Sequence, residues 1–154
     1  GRIAMDQIDH KIVTLLAEDA RRSLADIGGV VGLSASAVNE RIRRLSASGV
    51  IRRFTVDADP AALGCPVLVF IWVSLVQNVN EEAFRLFAAA HKAVEECHHV
   101  TGPWSYLIKA RVPSLADVES VLEDMKKHGF LARSESVVAL STVEPGSFAP
   151  VEKG

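Results

Sequence analysis

One ten-residue stretch constrains the fold of this 154-residue chain more than any other feature. DADPAALGCP, at residues 57 to 66, holds two prolines and a glycine, which interrupt helices and strands. Apolar residues recur at helical spacing before this stretch, whereas strand-like segments appear after it. The sequence therefore predicts two small domains, at residues 5 to 56 and 67 to 145, joined by a linker at residues 57 to 66.

The first domain is predicted to contain three helices. Asp6, Ser23 and Ser34 each precede a segment with helical periodicity, and such side chains cap helix N-termini. Ser23 and Asp26 have the spacing of a capping box. The residues predicted to line the apolar faces of the first two helices are Ile8, Ile12, Leu15, Leu16, Leu24, Ile27, Val30 and Val31.

The second and third helices are separated by a turn at Gly32-Leu33, and the third runs to about Ser48 before Gly49 ends it. Residues 50 to 59 alternate in part between apolar and polar, which predicts a strand or small wing. Three helices, a short turn and a wing are typical of a winged helix-turn-helix domain.

The second domain shows a different rhythm, with β-branched and aromatic segments between two helical ones. The helices are predicted after Asn80 and after Ser114, which forms a capping box with Asp117. Leu115, Val118, Leu122 and Met125 line the second of these helices. Strands are predicted at residues 66 to 76, 95 to 101, 104 to 112 and 136 to 143, so the order is βαββαβ, that of a ferredoxin-like domain in an α+β protein.

The strand from Val67 to Val76 is apolar on both faces. Val67, Val69, Ile71 and Val73 alternate with Leu68, Phe70 and Trp72. A four-stranded sheet with both helices on one side leaves its other face uncovered. We therefore expect at least a homodimer in which two sheets pack face to face.

Charge is distributed unevenly over a chain whose formal net charge is only -2. Five arginines lie between Arg41 and Val56, a stretch without an acidic residue.

Two cysteines make no disulfide framework, and no secretory leader or membrane span is evident, so we expect a cytoplasmic protein without a membrane partner. Gly1 to Ala4, which precede Met5, are interpreted as a cloning remnant.

The third helix carries the pattern of a DNA-reading helix. If Val38, Ile42 and Leu45 face inward, the opposite face presents short polar side chains first and arginines later. Asparagine reads adenine edges, and serine and arginine contact phosphates or guanine. We expect Asn39 and Ser36 to read bases, Arg43 to contact guanine or phosphate, and Arg41 and Arg44 to hold the backbone. The predicted DNA-binding set is Ser34, Ser36, Asn39, Glu40, Arg43, Arg44 and Arg52.

The sequence gives weaker support to metal-binding and catalytic sites. His98 and His99 are adjacent in a predicted strand and point to opposite faces, so they cannot chelate one metal ion. Cys97 lies near His99, but no orienting acid or oxyanion loop accompanies this pair. His91 lies on an apolar helix face and is interpreted as a core histidine. We expect no catalytic residues, no metal site and no cofactor.

The residues together resemble the Lrp/AsnC, or feast/famine, family of transcription regulators. In the first domain the resemblance rests on Asp6, Ile8-Asp9, Gly32-Leu33-Ser34, Val38, the run from Glu40 to Leu45, and Gly49-Val50-Ile51. It continues through Asp59-Pro60 and Leu63-Gly64 into ECHHVTGPWSYLIKARVPS, so it covers essentially residues 5 to 143.

The resemblance implies a nucleoid-associated regulator that binds palindromic operators, forms dimers and octamers, and responds to an amino acid. The second domain would be of the RAM type, with its effector pocket between neighbouring dimers. Carried onto this chain, the effector-binding positions are His99, Val100, Thr101, Gly102, Pro103, Trp104, Ser105, Glu119, Glu123, Ser134, Glu135, Ser136, Val137 and Val138. Glu123 is the expected ammonium partner, and Trp104 the expected aromatic wall.

Two features depart from the family pattern. Gly28-Gly29 replaces stronger helix formers, which predicts a looser second helix. The family loop commonly carries two carboxylates, yet here it reads Gly102, Pro103, Trp104, Ser105, Tyr106 and has neither. Two alternatives remain: a siroheme-decarboxylase-like enzyme of the same architecture, for which His98-His99 is the only hint, and a ligand-sensing oligomer with a degenerate DNA domain.

Overall fold

A computed structural model describes residues 4–153. Gly1 to Ile3, most of the segment interpreted as a cloning remnant, lie outside the described residues. The chain divides into two compact units, one ending at Thr55 and the other beginning at Val56. No helix within the described range is long and apolar enough to cross a membrane.

The first unit contains the three predicted helices: α1 (Gln7–Glu18), α2 (Leu24–Val31) and α3 (Ala35–Ala47). Each predicted cap accepts a hydrogen bond from a backbone N–H: Asp6 from Asp9, Ser23 from Asp26 and Ser34 from Ala37. The core forms around four residues with no more than 3% of their surface exposed: Ile12, Leu15, Ile27 and Val38. Periodicity and caps together position α3 as predicted.

Two details of α2 differ from the prediction. The Ser23–Asp26 capping box is only half formed, because the Asp26 carboxylate accepts instead from Arg22 Nε at 2.6 Å. Val30, predicted to line the apolar face, is 48% exposed.

Gly28 has a structural role that the expectation of a looser second helix did not include. Its carbonyl accepts hydrogen bonds from the N–H groups of Gly32 and Leu33, at 2.8 and 3.0 Å. A Cβ at position 28 would collide with the backbone carbonyl oxygen of Leu33, whereas one at Gly29 would meet nothing within 4 Å. Gly28 is therefore required by the close approach of α2 to the turn, which Gly32 completes in a left-handed conformation (φ 77°).

The predicted wing strand does not form. Residues 52 to 59 are outside any strand, and Phe54 and Val56 are 55% and 64% exposed. A strand requires a neighbour with which to exchange backbone hydrogen bonds, and the first unit, within its described residues, is otherwise helical.

The second unit is the predicted βαββαβ domain. Its elements are β1 (Val67–Leu75), α4 (Glu81–Ala90), β2 (Val94–His99), β3 (Tyr106–Val112), α5 (Leu115–Lys127) and β4 (Leu131–Val138). The strands form one antiparallel sheet in the order β2-β3-β1-β4, so β2 and β4 are its edges. The register of β2 shifts between Val94 and Glu96, which marks a bulge in that edge.

Three predictions in this unit were wrong. The last strand begins at Leu131 rather than at residue 136, because its pairing with β1 starts at Leu75; Leu140 and Val143 are almost fully exposed. Leu115 is 64% exposed and does not line α5. The Ser114 hydroxyl donates to the Asp117 carboxylate at 2.6 Å and makes no side-chain cap.

The two helices cover one face of the sheet. Val69, Ile71 and Val73 are fully buried and pack in one cluster with residues of α4 and α5, including Phe84 and Met125. The opposite face of β1 carries Leu68, Phe70 and Trp72, which are only partly buried. We refer to this second surface, which continues through Leu107 and Val137, as the open face.

Candidate functional site

The N-terminus of α3 is organised by two serines. Ser34 Oγ accepts from Ala37 N at 3.2 Å and lies 3.2 Å from Ser36 Oγ. Both side chains are exposed, and the first turn of the helix contains no acidic residue. The helix therefore presents hydroxyl groups and unpaired backbone N–H groups to solvent, a combination suited to an anion such as phosphate.

The outward face of α3 carries the side chains predicted to read DNA. Asn39, Glu40 and Arg43 are exposed, while Val38 and Leu45 are buried. Arg43 and Glu40 form an ion pair of 3.5 Å in which both side chains are more than 70% exposed. Such a pair contributes little to stability, so Arg43 is free to exchange Glu40 for another acceptor.

Arg41 points the other way, toward α1. Its Nη1 donates to Asp6 at 2.7 Å and to Asp9 at 3.1 Å, and Asp9 is only 1% exposed. This pairing holds the pKa of Asp6 below its ordinary value, chiefly through the hydrogen bond from Arg41. Arg41 is therefore a structural clamp, which corrects the expectation that it holds DNA backbone.

The sequence signal for this clamp was the Asp6–Asp9 spacing. Asp9 N donates to Asp6 at 2.8 Å and Asp6 N to Asp9 at 3.3 Å, which makes a full capping box with two carboxylates side by side. A guanidinium neutralises them. Arg44, 3.5 Å from Asp9, is more than half exposed and keeps donors available to solvent, as does the exposed Arg52.

The predicted effector loop, residues 100 to 105, joins β2 to β3. Val100 N donates to Ser105 O at 3.0 Å and closes the loop, and Gly102 adopts a left-handed φ of 97°. Ser105 N donates to Val73 O at 2.8 Å, which anchors the loop to the end of β1.

Arg133, on β4, was missed by the sequence reasoning. Its guanidinium lies 4.4 Å from the centroid of the Trp104 ring and donates to Pro103 O at 3.4 Å. One face of the expected aromatic wall is thus covered by a cation. Arg133 immediately precedes the predicted effector segment Ser134–Val138. This position next to the segment was the one sequence feature that pointed to Arg133 as a site residue.

The predicted effector residues fall into four groups. Glu135 and Val137 lie on the open face, whereas Ser134, Ser136 and Val138 lie on the helix-covered face of β4. The loop and Ser134 meet at Val73, since Ser134 pairs with that residue across the sheet. Glu119 and Glu123 are exposed on α5 and form no hydrogen bond or ion pair with the loop within residues 4–153. His99 faces α4 instead, where its ring stacks on Tyr106 with the centroids 4.8 Å apart.

The other singled-out histidines have local partners. His98 lies 2.9 Å from Glu96, on the side of β2 opposite to His99, as predicted. His91 is only 12% exposed; its Nδ1 accepts from Ala93 N at 3.1 Å and its Nε2 lies 2.9 Å from Asp124. The interpretation of His91 as a satisfied core histidine is confirmed. The described residues contain no group of three or more metal-ligating side chains.

Family models match both halves of the chain. The AsnC-type helix-turn-helix domain matches residues 5–53, and the Lrp/AsnC ligand binding domain matches residues 68–147. The two matches leave only the ends and a short segment around the linker unassigned.

Individual proteins agree with the family models. The HTH-type transcriptional regulator FL11 of Pyrococcus horikoshii is 30% identical over 152 residues, which covers 98% of this chain and 99% of the relative. The leucine-responsive regulatory protein of Haemophilus influenzae is 37% identical over 122 residues, covering 77% and 73%. A crystal structure of an AsnC family transcriptional regulator from Agrobacterium tumefaciens superposes with a TM-score of 0.84 at 27% identity, covering 95% of this chain and 97% of that one.

Proposed function

Because the chain belongs to the Lrp/AsnC family of transcription regulators, we propose that it binds palindromic operators as a dimer or higher oligomer and responds to an amino acid. The observation that carries the proposal is the exposed polar face of a clamped α3. Val38 and Leu45 anchor the helix to the core and Arg41 ties it to α1, so that the outward residues are held in a fixed arrangement.

The proposed division of labour on α3 follows from exposure and chemistry. Ser36 and Asn39 are exposed on the first turns and read base edges, and Arg43 contacts guanine or phosphate. Ser34, Arg44 and Arg52 hold the phosphate backbone, while Glu40 orients Arg43. Because the net charge is -2, the protein as a whole does not attract DNA, so the affinity for DNA depends on these few contacts.

The proposed dimer follows from the open face. Its partly buried aromatic and aliphatic side chains lie beside charged residues such as Lys109 and Glu135, and we propose that a second sheet buries the apolar part of this face. Two α3 helices related by a two-fold axis favour half-sites about 34–36 Å apart, or a multiple of this distance. We also propose that the dimers assemble into octamers, and that the protein is cytoplasmic and associates with the nucleoid.

The proposed effector site is built on the loop of residues 100–105 and on Ser134–Val138, with Glu119 and Glu123 contributed by α5. The name of the Haemophilus influenzae relative, leucine-responsive regulatory protein, supports an amino acid as the ligand. Since the loop lacks carboxylates, Glu123 is the proposed ammonium partner and Trp104 contacts the side chain of the ligand.

The decisive experiment is selection of duplexes from a random pool, with and without a mixture of amino acids. Asn39→Ala should reduce the binding free energy that favours the preferred base by about 1–3 kcal/mol, at one position per half-site. Arg44→Ala should weaken all sequences alike and reduce the salt slope by about 1. An unchanged consensus for Asn39→Ala would contradict the assignment, and an absence of any selected duplex would favour the degenerate-domain alternative.

Calorimetry against the twenty amino acids tests the effector site. Binding should be lost in Glu123→Ala. Binding that survives this change but fails in Ser105→Leu would move the ammonium partner to the loop.

The enzyme alternative is not favoured, because the matched relatives are named as transcription regulators. His98 and His99 also point to opposite sides of β2. We therefore propose that the protein has no catalytic role.

A further inference from the structure

A cleft enclosing about 350 Å³ lies between α4 and the outer edge of β2. This volume is at the lower end of the range of about 300–1,000 Å³ found for small-molecule sites. Of the residues assigned above to DNA or effector binding, only His99 lines it. The cleft is thus a separate feature that the proposed function does not use.

A hydrogen-bonded network fixes one wall of the cleft. The Tyr106 hydroxyl donates to Glu81 at 2.6 Å and accepts from Arg85 Nε at 2.7 Å. His99 stacks on Tyr106, with Nδ1 3.5 Å from Arg85 Nη2. Burial and the hydrogen bond to Glu81 raise the pKa of Tyr106, so the phenol stays neutral at cellular pH. Arg85 is therefore held at the cleft by its Nε and by a long contact of Nη2 with His99, and Nη1 forms no hydrogen bond within the described residues.

The cleft contains two cations, Arg85 and Lys153, to which no carboxylate among the described residues is dedicated. The nearest carboxylate to Arg85 is Glu81 at 3.9 Å, which already accepts from Tyr106. Among residues 4–153, Lys153 Nζ donates to two backbone carbonyls, those of His91 at 3.3 Å and Val94 at 2.7 Å. An anion entering the cleft would meet both positive groups.

Two acidic residues that line the cleft, Glu95 and Glu96, already form ion pairs with basic residues, although Glu95 Oε1 accepts no hydrogen bond within the described residues. Glu95 lies 3.6 Å from Lys109 Nζ and 3.7 Å from Arg111 Nε. Glu96 pairs with Lys109 at 3.2 Å and with His98 at 2.9 Å. Because these carboxylates face other partners, an ammonium group on a ligand would gain little here.

The remaining wall of the cleft is apolar. Ala88 and Val94 are buried, and Cys97 is partly buried beside them. Burial raises the pKa of the Cys97 thiol, with Arg85 opposing this effect more weakly, so the thiol is neutral. This wall suits a short hydrocarbon group.

We propose that the cleft binds a small aliphatic monocarboxylate, whose carboxylate pairs with Arg85 and Lys153 and whose hydrocarbon chain contacts Ala88, Val94 and Cys97. A charge-assisted pair of a guanidinium and a carboxylate gives orientation, and the apolar wall sets the length of the chain. The site goes beyond the proposed amino-acid response, since it requires neither an ammonium group nor the loop of residues 100–105.

The two cysteines offer a direct test, because Cys97 lines the cleft and Cys65 does not. The alkylation rate of each thiol in the full-length protein would be followed by mass spectrometry with butyrate as the probe. Butyrate should slow alkylation of Cys97 in a saturable manner and leave Cys65 unaffected. n-Butylamine, which has the same chain and the opposite charge, should protect neither.

Variants identify the groups responsible. Arg85→Gln should weaken butyrate protection of Cys97 about tenfold or more, as should Ala89→Leu, which fills the cleft. Arg133→Gln, at the loop, is the matched control and should leave protection unchanged. Equal protection by n-butylamine, retained protection in Arg85→Gln, or no protection by millimolar butyrate would each overturn the proposal. Selection of the same operator by Arg85→Gln keeps this test independent of the proposed DNA binding.

Discussion

The helical unit and the sheet unit complete their cores in different ways. In the helical unit, three amphipathic helices enclose their apolar residues, and the buried Asp9 is neutralised by an arginine from the same unit. In the sheet unit, α4 and α5 cover one face and leave Phe70 and Trp72 partly exposed on the other. The helical unit thus displays polar side chains from a closed scaffold, whereas the sheet unit keeps a partly exposed apolar face, which we propose a second copy covers.

A charge on the open face tests this difference most severely. Trp72→Glu places a carboxylate in the proposed sheet–sheet interface and should weaken dimerisation about a thousandfold, or about 4 kcal/mol. Leu86→Glu, at a residue 64% exposed on α4, is the control and should leave the dimer intact. Analytical ultracentrifugation measures both, and a Trp72→Glu dimer as tight as the parent would refute the interface.

The closed scaffold of the helical unit is tested by its two adjacent glycines. Gly28→Ala should lower the free energy of unfolding by about 3 kcal/mol, because its Cβ collides with the Leu33 carbonyl oxygen. Gly29→Ala should instead raise it by about 0.8 kcal/mol, since the added methyl group meets nothing and favours the helix. Urea denaturation decides the point, and equal effects of the two changes would be inconsistent with the close approach.

The clamp at Asp9 can be compared with an exposed acid of the same unit. Asp9→Ala should destabilise the unit by about 2 kcal/mol, because it removes the acceptor of donors from Asp6 and Arg41. Glu40→Ala, in an exposed pair, should change stability by no more than about 0.5 kcal/mol. Thermal unfolding distinguishes them; similar melting temperatures would show that the clamp adds no stability.

Acidification should produce the smallest of these effects, a loss of the contribution that Asp6 makes to the stability of the helical unit. The folded pKa of Asp6 is lower than its ordinary value, so its contribution is present above that ordinary value and is lost as pH falls through the folded pKa. The difference in stability between the parent and Asp6→Asn should therefore shrink between pH 7 and pH 3. A constant difference would indicate that the Asp6 charge plays no part in the clamp.

Local features of the sequence predicted much of this architecture. Caps at Asp6, Ser34 and Asn80, together with apolar periodicity, place helices within a few residues because both signals act along a short segment. The outward face of α3 followed from the same periodicity. The order of strands and helices along the chain of the second unit followed from the composition of the strand segments and from the helices between them.

Contacts distant in sequence were not predictable in this way. The Arg41–Asp9 clamp joins residues 32 positions apart, and Arg133 meets Trp104 only because β4 pairs with β1. The same pairing determines where β4 begins, whereas the apolar pattern placed it five residues later. The need for Gly28 arises from a backbone in the next turn, so no property of the α2 sequence alone reveals it.

The bulge in β2 has a consequence for how far association can proceed. The bulge falls at Glu95, next to Glu96 on the edge strand, and His98 and Lys109 lower the pKa of Glu96 so that it stays ionised. An irregular, charged edge is a poor template for another strand, which prevents sheets from adding side by side without limit. Crowding of many copies on one stretch of chromosome would then yield discrete particles rather than fibres.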